Sequence, residues 1–313
     1  MDELAALLDG PRARNAFVVR ALLSPPWSLR IQDEAALCLV TVVRGEAWVV
    51  PEGGKPVHAA PGDVVIARGP APYTVADDPA TAPHIVIHPG DRCTTPDGRS
   101  LTEELTLGVR TWGNDPDGST VLLVGTYHMR GEVSRRLLDA LPEVLLLPAA
   151  ALDSPLVPLL VAEVPQEAPG QQAVLDRLLD LMLIVVLRAW FAGAEENAPK
   201  WYRAHGDPIV GRVLRVIHAD PAHPWTVAAL AARAGVSRAT LARRFTDLVG
   251  EPPMTYLTGW RLALAADLLR EPGATVASVA RRVGYGTAFA LSSAFSREFG
   301  VSPQQHRATP IGA

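Results

Sequence analysis

The rhythm of hydrophobic and polar positions changes along this chain and divides it before any chemistry is considered. From Phe17 to about Met129, short runs rich in Val, Leu and Ile alternate with turn residues. The runs Ala36–Val43, Ala47–Val50, Val64–Ala67, His84–Ile87, Leu105–Arg110 and Val121–Tyr127 are separated by Gly45, Glu52-Gly53-Gly54, Pro61-Gly62-Asp63, Pro89-Gly90 and Asp115-Pro116-Asp117-Gly118. Short β-branched runs with Gly, Pro and Asp between them predict an antiparallel sandwich or barrel. The period then lengthens. Val133–Leu141 reads as a helix closed by Pro142, a Pro-spaced stretch follows, and Gln171–Phe191 is a long helix. In it Val174, Leu175, Leu178, Leu179, Met182, Val185 and Val186 recur at three- and four-residue spacing, while Leu181, Leu183, Ile184 and Leu187 make the other side apolar too. Such a helix needs cover on two sides. One cover is its own β body; the other is more of the same subunit or a second copy of the chain. Residues 193–206, small and polar, predict a linker, and from Asp207 onward only helical periodicity remains.

The last hundred residues contain a repeat. Val227 to Phe245 (VAALAARAGVSRATLARRF) aligns with Val276 to Phe295 (VASVARRVGYGTAFALSSAF), with Gly235 matching Gly284, Leu241 matching Leu291 and Phe245 matching Phe295. Each copy has the parts of a helix-turn-helix. Thr226 and Thr275 suit N-caps, Ala231 and Ala280 allow close helix crossing, and Gly235 and Gly284 permit a left-handed turn. Ser237 and Thr287 suit caps of the second helix, which the leucine and phenylalanine anchor at four-residue spacing. Met254–Leu269, with Tyr256, Leu257, Trp260, Leu264 and Leu268 expected inside, predicts a stiff connector. Two second helices held about 34 Å apart would enter successive major grooves of one DNA face.

These segments resemble the AraC/XylS family of bacterial transcription regulators. The resemblance spans about Asp207 to Arg307 and includes the Gly250–Tyr256 run (G-x-P-P-x-x-Y), RLALAADLL, Gly284-Tyr285, Phe295, Phe299 and Gly300-x-Ser302-Pro303. It implies that the exposed face of each second helix contacts DNA. For the first that means Ser237, Arg238, Ala239, Ala242, Arg243 and Arg244; for the second, Thr287, Ala288, Ser292, Ser293 and Arg297, with Arg281 and Arg282 nearby. Arg243 is the expected guanine reader, because its planar fork matches two acceptors on that base. Arg238 and Arg244 are expected at phosphate or in solvent. Ser293 stands where the family usually has Arg, so the second motif is expected mainly to position the backbone, with Phe289 as a packing residue or a thymine-methyl contact.

Charge supports this division. The net charge of −4 is uneven: residues 206–313 hold 12 Arg and no Lys against 7 Asp and Glu, a net +5, which leaves −9 on residues 1–205. A basic third on an acidic body predicts a polyanion-binding module joined to something else. Of 313 residues 48% are hydrophobic and 20% charged, which excludes a mostly disordered chain. No apolar run reaches the ~18 residues of a membrane span. The opening MDELAALLDG is acidic rather than signal-like, and two cysteines make no disulfide framework. A cytoplasmic protein is expected.

The N-terminal segments PGDVVIARGPAPYTVADD, IVIHPGDRC and LLDALPEVLLL resemble the cupin-type sensor domain that precedes many AraC-type DNA-binding domains. Tyr73 stands where such segments often carry His. His84, His88, Cys93 and His128 remain as candidate ligands for zinc or another divalent metal, with His84 and His88 expected on one strand face. Tyr73 with these four forms the candidate effector or redox set, and Arg92 beside Cys93 would favour thiolate. The motifs G-x-S-x-G, G-x-x-x-x-G-K and H-E-x-x-H do not occur.

The expected architecture has two domains. Residues 1–192 form an all-β, cupin-like barrel with trailing helices and a dimerisation helix at 171–191. Residues 207–313 form an all-α tandem helix-turn-helix, with motifs at 226–245 and 275–295. The expected function is a non-enzymatic, sequence-specific regulator that binds double-stranded DNA as a homodimer, engages RNA polymerase and responds to a small molecule or redox signal. The alternatives are a metal-dependent cupin oxygenase fused to a DNA-binding domain and a constitutive architectural DNA-binder.

Overall fold

A computed structural model describes residues 17–127, 131–152, 154–193 and 198–308. They divide into a β-rich unit (17–127 and 138–193) and a helical unit (131–137 and 198–308).

The β unit has thirteen strands among the described residues. They are β1 (Phe17–Leu23), β2 (Ser28–Ile31), β3 (Leu37–Arg44), β4 (Ala47–Pro51), β5 (Val57–Ala59), β6 (Val64–Arg68) and β7 (Tyr73–Ala76). There follow β8 (Ile85–His88), β9 (Arg92–Thr94), β10 (Thr106–Gly108), β11 (Thr111–Gly113), β12 (Thr120–Tyr127) and β13 (Val144–Leu147). Two sheets form, in the orders β10-β11-β1-β12-β3-β6-β13 and β5-β4-β7-β2-β8-β9. Alternate residues of each strand face the other sheet: Cys38, Val40 and Val42 of β3 and Leu122 of β12 meet Leu29, Ile31, Val49 and Val75 from across the core. This two-fold alternation makes the barrel interior a single apolar cluster.

Three expectations change here. The pairing is mostly antiparallel, but β1–β11 and β2–β8 are parallel. The run Leu105–Arg110 is no continuous strand: β10 and β11 flank a turn in which Arg110 has φ +45°. The apolar run Val144–Leu147, left inside the Pro-spaced stretch, is an edge strand on β6.

Helix α1 (Glu132–Leu138) belongs to the helical unit up to residue 137. In the β unit, α2 (Leu156–Glu163) packs on β3 and α3 (Gln171–Gly193) on β13. Leu175, Leu179, Met182, Leu183, Val186, Leu187 and Phe191 form the buried stripe of α3. Where α3 crosses β12, a Cβ on Gly125 would lie 2.8 Å from Leu179, so a side chain there would push the helix away. Tyr127 Oη donates to the Leu179 carbonyl at 2.8 Å. Val174 and Leu181, seven residues apart, stay exposed.

The helical unit continues with α4 (Lys200–His205), α5 (Val210–Ala219), α6 (Val227–Ala234), α7 (Arg238–Val249) and α8 (Pro253–Leu269). It ends with α9 (Val276–Arg282), α10 (Ala288–Phe299) and α11 (Pro303–Ala308). Helix α4 falls in the stretch expected as linker, yet Ala204 is fully buried and α4 packs on α7. The connector α8 forms as expected but buries Leu262 and Leu269, while Leu264 and Leu268 are half-buried. His218 of α5 is buried beside Trp260, and its Nε2 is 2.8 Å from Tyr256 Oη. Burial holds its pKa down, at about 3, so it packs as a neutral ring. The Asp267 carboxylate of α8 accepts the N–H groups of Glu132 (2.7 Å) and Val133 (3.2 Å) at the start of α1. Burial nevertheless raises its pKa to about 6.

Candidate nucleic-acid interface

Each half of the repeat folds as two helices around a tight turn, and the caps carry the geometry. Thr226 Oγ1 accepts Ala229 N–H at 3.1 Å, and Thr275 forms a reciprocal capping box with Ser278. Gly235 turns the chain at φ +72° and Gly284 at φ +82°. At Gly284 a Cβ would also lie 2.5 Å from the Ala222 carbonyl oxygen, so glycine is required there for space as well as for conformation. Ser237 accepts Thr240 N–H and Thr287 accepts Ala290 N–H, both at 3.1 Å, which starts α7 and α10 cleanly.

These caps aim the two helices in the same way. Leu241 and Phe245 of α7, and Leu291 and Phe295 of α10, are fully buried anchors. The opposite face of α7 exposes Arg238, Ala239, Arg243 and Arg244, with Ala242 half-buried. Arg238 and Arg243 make no ion pair among the described residues, whereas Arg244 holds Asp207 through Nε at 2.9 Å and Nη2 at 2.5 Å. Asp207 in turn accepts the N–H groups of Ile209 and Val210 at the start of α5, so Arg244 ties two helices together. The expectation of a phosphate or solvent role for Arg244 missed this partner, which lies 37 residues away in the chain.

On α10 the equivalent face presents Phe289, Ser293, Ser296 and Arg297, with Ala288 and Ser292 half-buried. Phe289 is 81% exposed, so most of its ring lies open rather than packed among the described residues. Of the nearby pair, Arg281 is exposed and Arg282 is bonded to Glu271 at 2.6 Å.

The effector and metal candidates of the β unit do not converge. His84 precedes β8 and is exposed. His88 uses both ring nitrogens, toward Gln32 at 3.1 Å and Thr94 at 2.9 Å. Cys93 pairs with Ile87 in the β8–β9 register, so it faces the barrel interior while His88 faces out. His128 lies outside the described residues. Among the described residues no group of three His, Cys, Asp or Glu could hold a metal. Burial, followed by the charge of Asp91, raises the Cys93 pKa, the reverse of the thiolate expected from Arg92. Tyr73 and Cys93 do line one cavity of about 320 Å³ between the sheets.

A basic helical unit bearing two capped helix-turn-helix motifs, in a chain whose other unit is a two-sheet β structure with an internal cavity, defines a DNA-binding module joined to a separate β domain. Comparison with known proteins agrees. Residues 2–192 match the family model described as Cupin, and residues 230–309 match Helix-turn-helix domain. An AraC-like transcription regulator of Streptomyces lividans is 33% identical over 315 residues, covering 99% of both chains. The HTH-type transcriptional regulator AlkR of Acinetobacter baylyi is 27% identical, covering 98% of this chain and 99% of its own. The DNA-binding domain of AdpA, solved in complex with a target DNA, is 36% identical over 33% of this chain and 92% of its own, with a TM-score of 0.31. The chain belongs to the AraC-like transcription regulators: it is a DNA-binding regulator with a cupin domain ahead of its helix-turn-helix domain. No helix among the described residues is long and apolar enough to cross a membrane.

Proposed function

We propose that the protein is a non-enzymatic, cytoplasmic regulator that reads DNA sequence chiefly with α7 and uses α10 mainly for positioning. The observation that carries this reading is the contrast between the two equivalent faces. Arg243 stands free on α7, whereas Ser293 and the exposed Phe289 occupy α10. An arginine fork discriminates bases by about 1–3 kcal/mol, more than a serine hydroxyl does. Thr287, Arg281 and Arg297 then contribute to backbone contacts, which lend affinity without sequence information.

The β unit is the sensor, and its internal cavity receives a small-molecule effector. A homodimer forms through the exposed stripe of α3 at Val174 and Leu181, and the DNA-bound dimer engages RNA polymerase. A small-molecule signal is favoured over thiol oxidation, because Cys38 and Cys93 both sit where burial disfavours thiolate. The test is genome-wide mapping of bound sites followed by affinity measurements on the recovered sequence and on a scrambled duplex. A shared motif bound much more tightly than the scramble supports the reading. Equal affinity for both would leave only an architectural binder.

A further inference from the structure

The cavity between the sheets is a shaped site whose walls restrict what can enter. Its volume, about 320 Å³, is at the small end of the ~300–1,000 Å³ of small-molecule pockets. The interior is apolar: Val40 and Val124 from the seven-stranded sheet face Ile31 and Ile87 from the other. One polar group breaks this surface deep inside. Tyr73 is 6% exposed, and its buried hydroxyl has no oxygen or nitrogen hydrogen-bond partner among the described residues. Its polar neighbour is the Cys38 thiol, a weak sulfur acceptor that an oxygen would outcompete for the hydroxyl proton. A buried hydroxyl with only a thiol beside it forgoes most of what a good hydrogen bond supplies, and a ligand oxygen would restore it.

The charges around the cavity select against an anion at this point. Asp33 and Asp91 are on the wall. The Asp33 carboxylate acts on both Tyr73 and Cys38, which burial already keeps protonated, and Asp91 acts on Cys93. Arg110, the one cation of the wall among the described residues, donates its guanidinium N–H groups to Gln171 (2.8 Å) and Gln172 (3.4 Å) at the start of α3.

We propose that this cavity binds a neutral, mainly apolar molecule about the size of two fused rings, which presents one carbonyl, ether or hydroxyl oxygen to the Tyr73 hydroxyl. The inference rests on the reading of the β unit as an effector sensor and specifies the chemistry of that effector. Tyr73 donates the single directional bond, the aliphatic walls supply most of the binding, and the two aspartates reject carboxylates and sulfonates. Specificity then comes from shape and from one oxygen rather than from charge.

The probes are prodan, a neutral naphthalene ketone whose emission shifts to the red when its carbonyl accepts a hydrogen bond, and the anionic anilinonaphthalene sulfonate. Both are titrated against the purified full-length protein, and DNA binding is measured on the same preparation. Prodan is expected to bind at least about tenfold more tightly than the sulfonate. Tyr73→Phe, which preserves shape, is expected to weaken prodan several-fold and move its bound emission to the blue. Val124→Phe, which fills space at a half-buried wall position, is expected to abolish binding. Asp33→Asn, which keeps an acceptor for the Ala35 N–H, is expected to narrow the gap between the two dyes.

Equal or tighter binding of the sulfonate overturns the proposal, as does Tyr73→Phe with unchanged affinity and emission. No prodan binding by a preparation that still binds its DNA site overturns the effector chemistry and leaves the regulator intact. Prodan binding as described, by a protein that fails to discriminate its DNA site, supports the cavity chemistry and counts against the regulator reading instead.

Discussion

Arg243 and its neighbours allow a direct test of how the two helix-turn-helix motifs divide their work. Arg243 and Arg238 are exposed on α7 and make no ion pair among the described residues, so each has its full donor set available to DNA. A bidentate contact to guanine contributes about 1–3 kcal/mol of discrimination, equivalent to roughly 5- to 150-fold in affinity. Arg243→Ala should therefore weaken binding to the preferred duplex by that factor and barely change binding to a scrambled duplex. A phosphate contact has a different signature, because each one releases counterions and contributes about −0.9 to the slope of log K against log salt. Arg238→Ala should weaken both duplexes alike and flatten that slope by about one. Ser293→Ala, at the α10 position equivalent to Arg243, should cost less than about twofold, since a lone hydroxyl adds little selectivity. The assay is fluorescence anisotropy on labelled duplexes across a salt series. If Arg243→Ala lowers both duplexes equally with a slope change near one, Arg243 is a phosphate contact and the argument from its fork fails. If Ser293→Ala costs as much as Arg243→Ala, the division of labour between the helices is wrong.

Three further outcomes are expected. Phe289, at 81% exposure, should contact a thymine methyl; replacing thymidine by deoxyuridine at that position should cost the wild type about 0.8 kcal/mol, near fourfold, and Phe289→Ala nothing more. A wild type indifferent to every such replacement would remove the contact. Burial raises the Asp267 pKa from 3.8 to about 6, so the folded state holds this proton more tightly than the unfolded chain does, and stability falls as pH rises through that window. Asp267→Asn, whose amide has one acceptor oxygen for the two N–H groups of Glu132 and Val133, should flatten that pH slope; a slope as steep as the wild type's would contradict this. Leu181→Glu, on the exposed side of α3, should shift the protein to monomer in sedimentation at low micromolar concentration, and an unchanged oligomeric state would exclude that face as the dimer contact.

The helix-turn-helix repeat was readable residue by residue because its signals are local. Thr226, Thr275, Ser237 and Thr287 cap helices beginning at the next residue. Gly235 and Gly284 turn the chain at positive φ, and Leu241, Phe245, Leu291 and Phe295 repeat at helical spacing onto buried positions. Cap chemistry, glycine conformation and periodicity act over a few residues, so they can be read in order along the chain. The β half was legible as a class, by strand length and turn composition, but not in its pairing. The parallel β1–β11 and β2–β8 ladders join segments far apart in the chain, and no local pattern specifies them.

Partners and exposure were the part that folding had to settle. Arg244 is expected from the sequence at phosphate or in solvent, and only folding sets Asp207, 37 residues earlier, against it. Cys93 beside Arg92 suggested a thiolate, yet strand alternation turns the thiol inward, where burial and Asp91 raise its pKa. His88 turns to the opposite face and bonds to Gln32 and Thr94, which separates it from Cys93. The burial of the Tyr73 hydroxyl beside the Cys38 thiol arose only when two sheets closed around it. A side chain's charge state, partner and accessibility depend on neighbours supplied by distant segments, so these properties arise on packing, whereas caps and turns are complete in the few residues that form them.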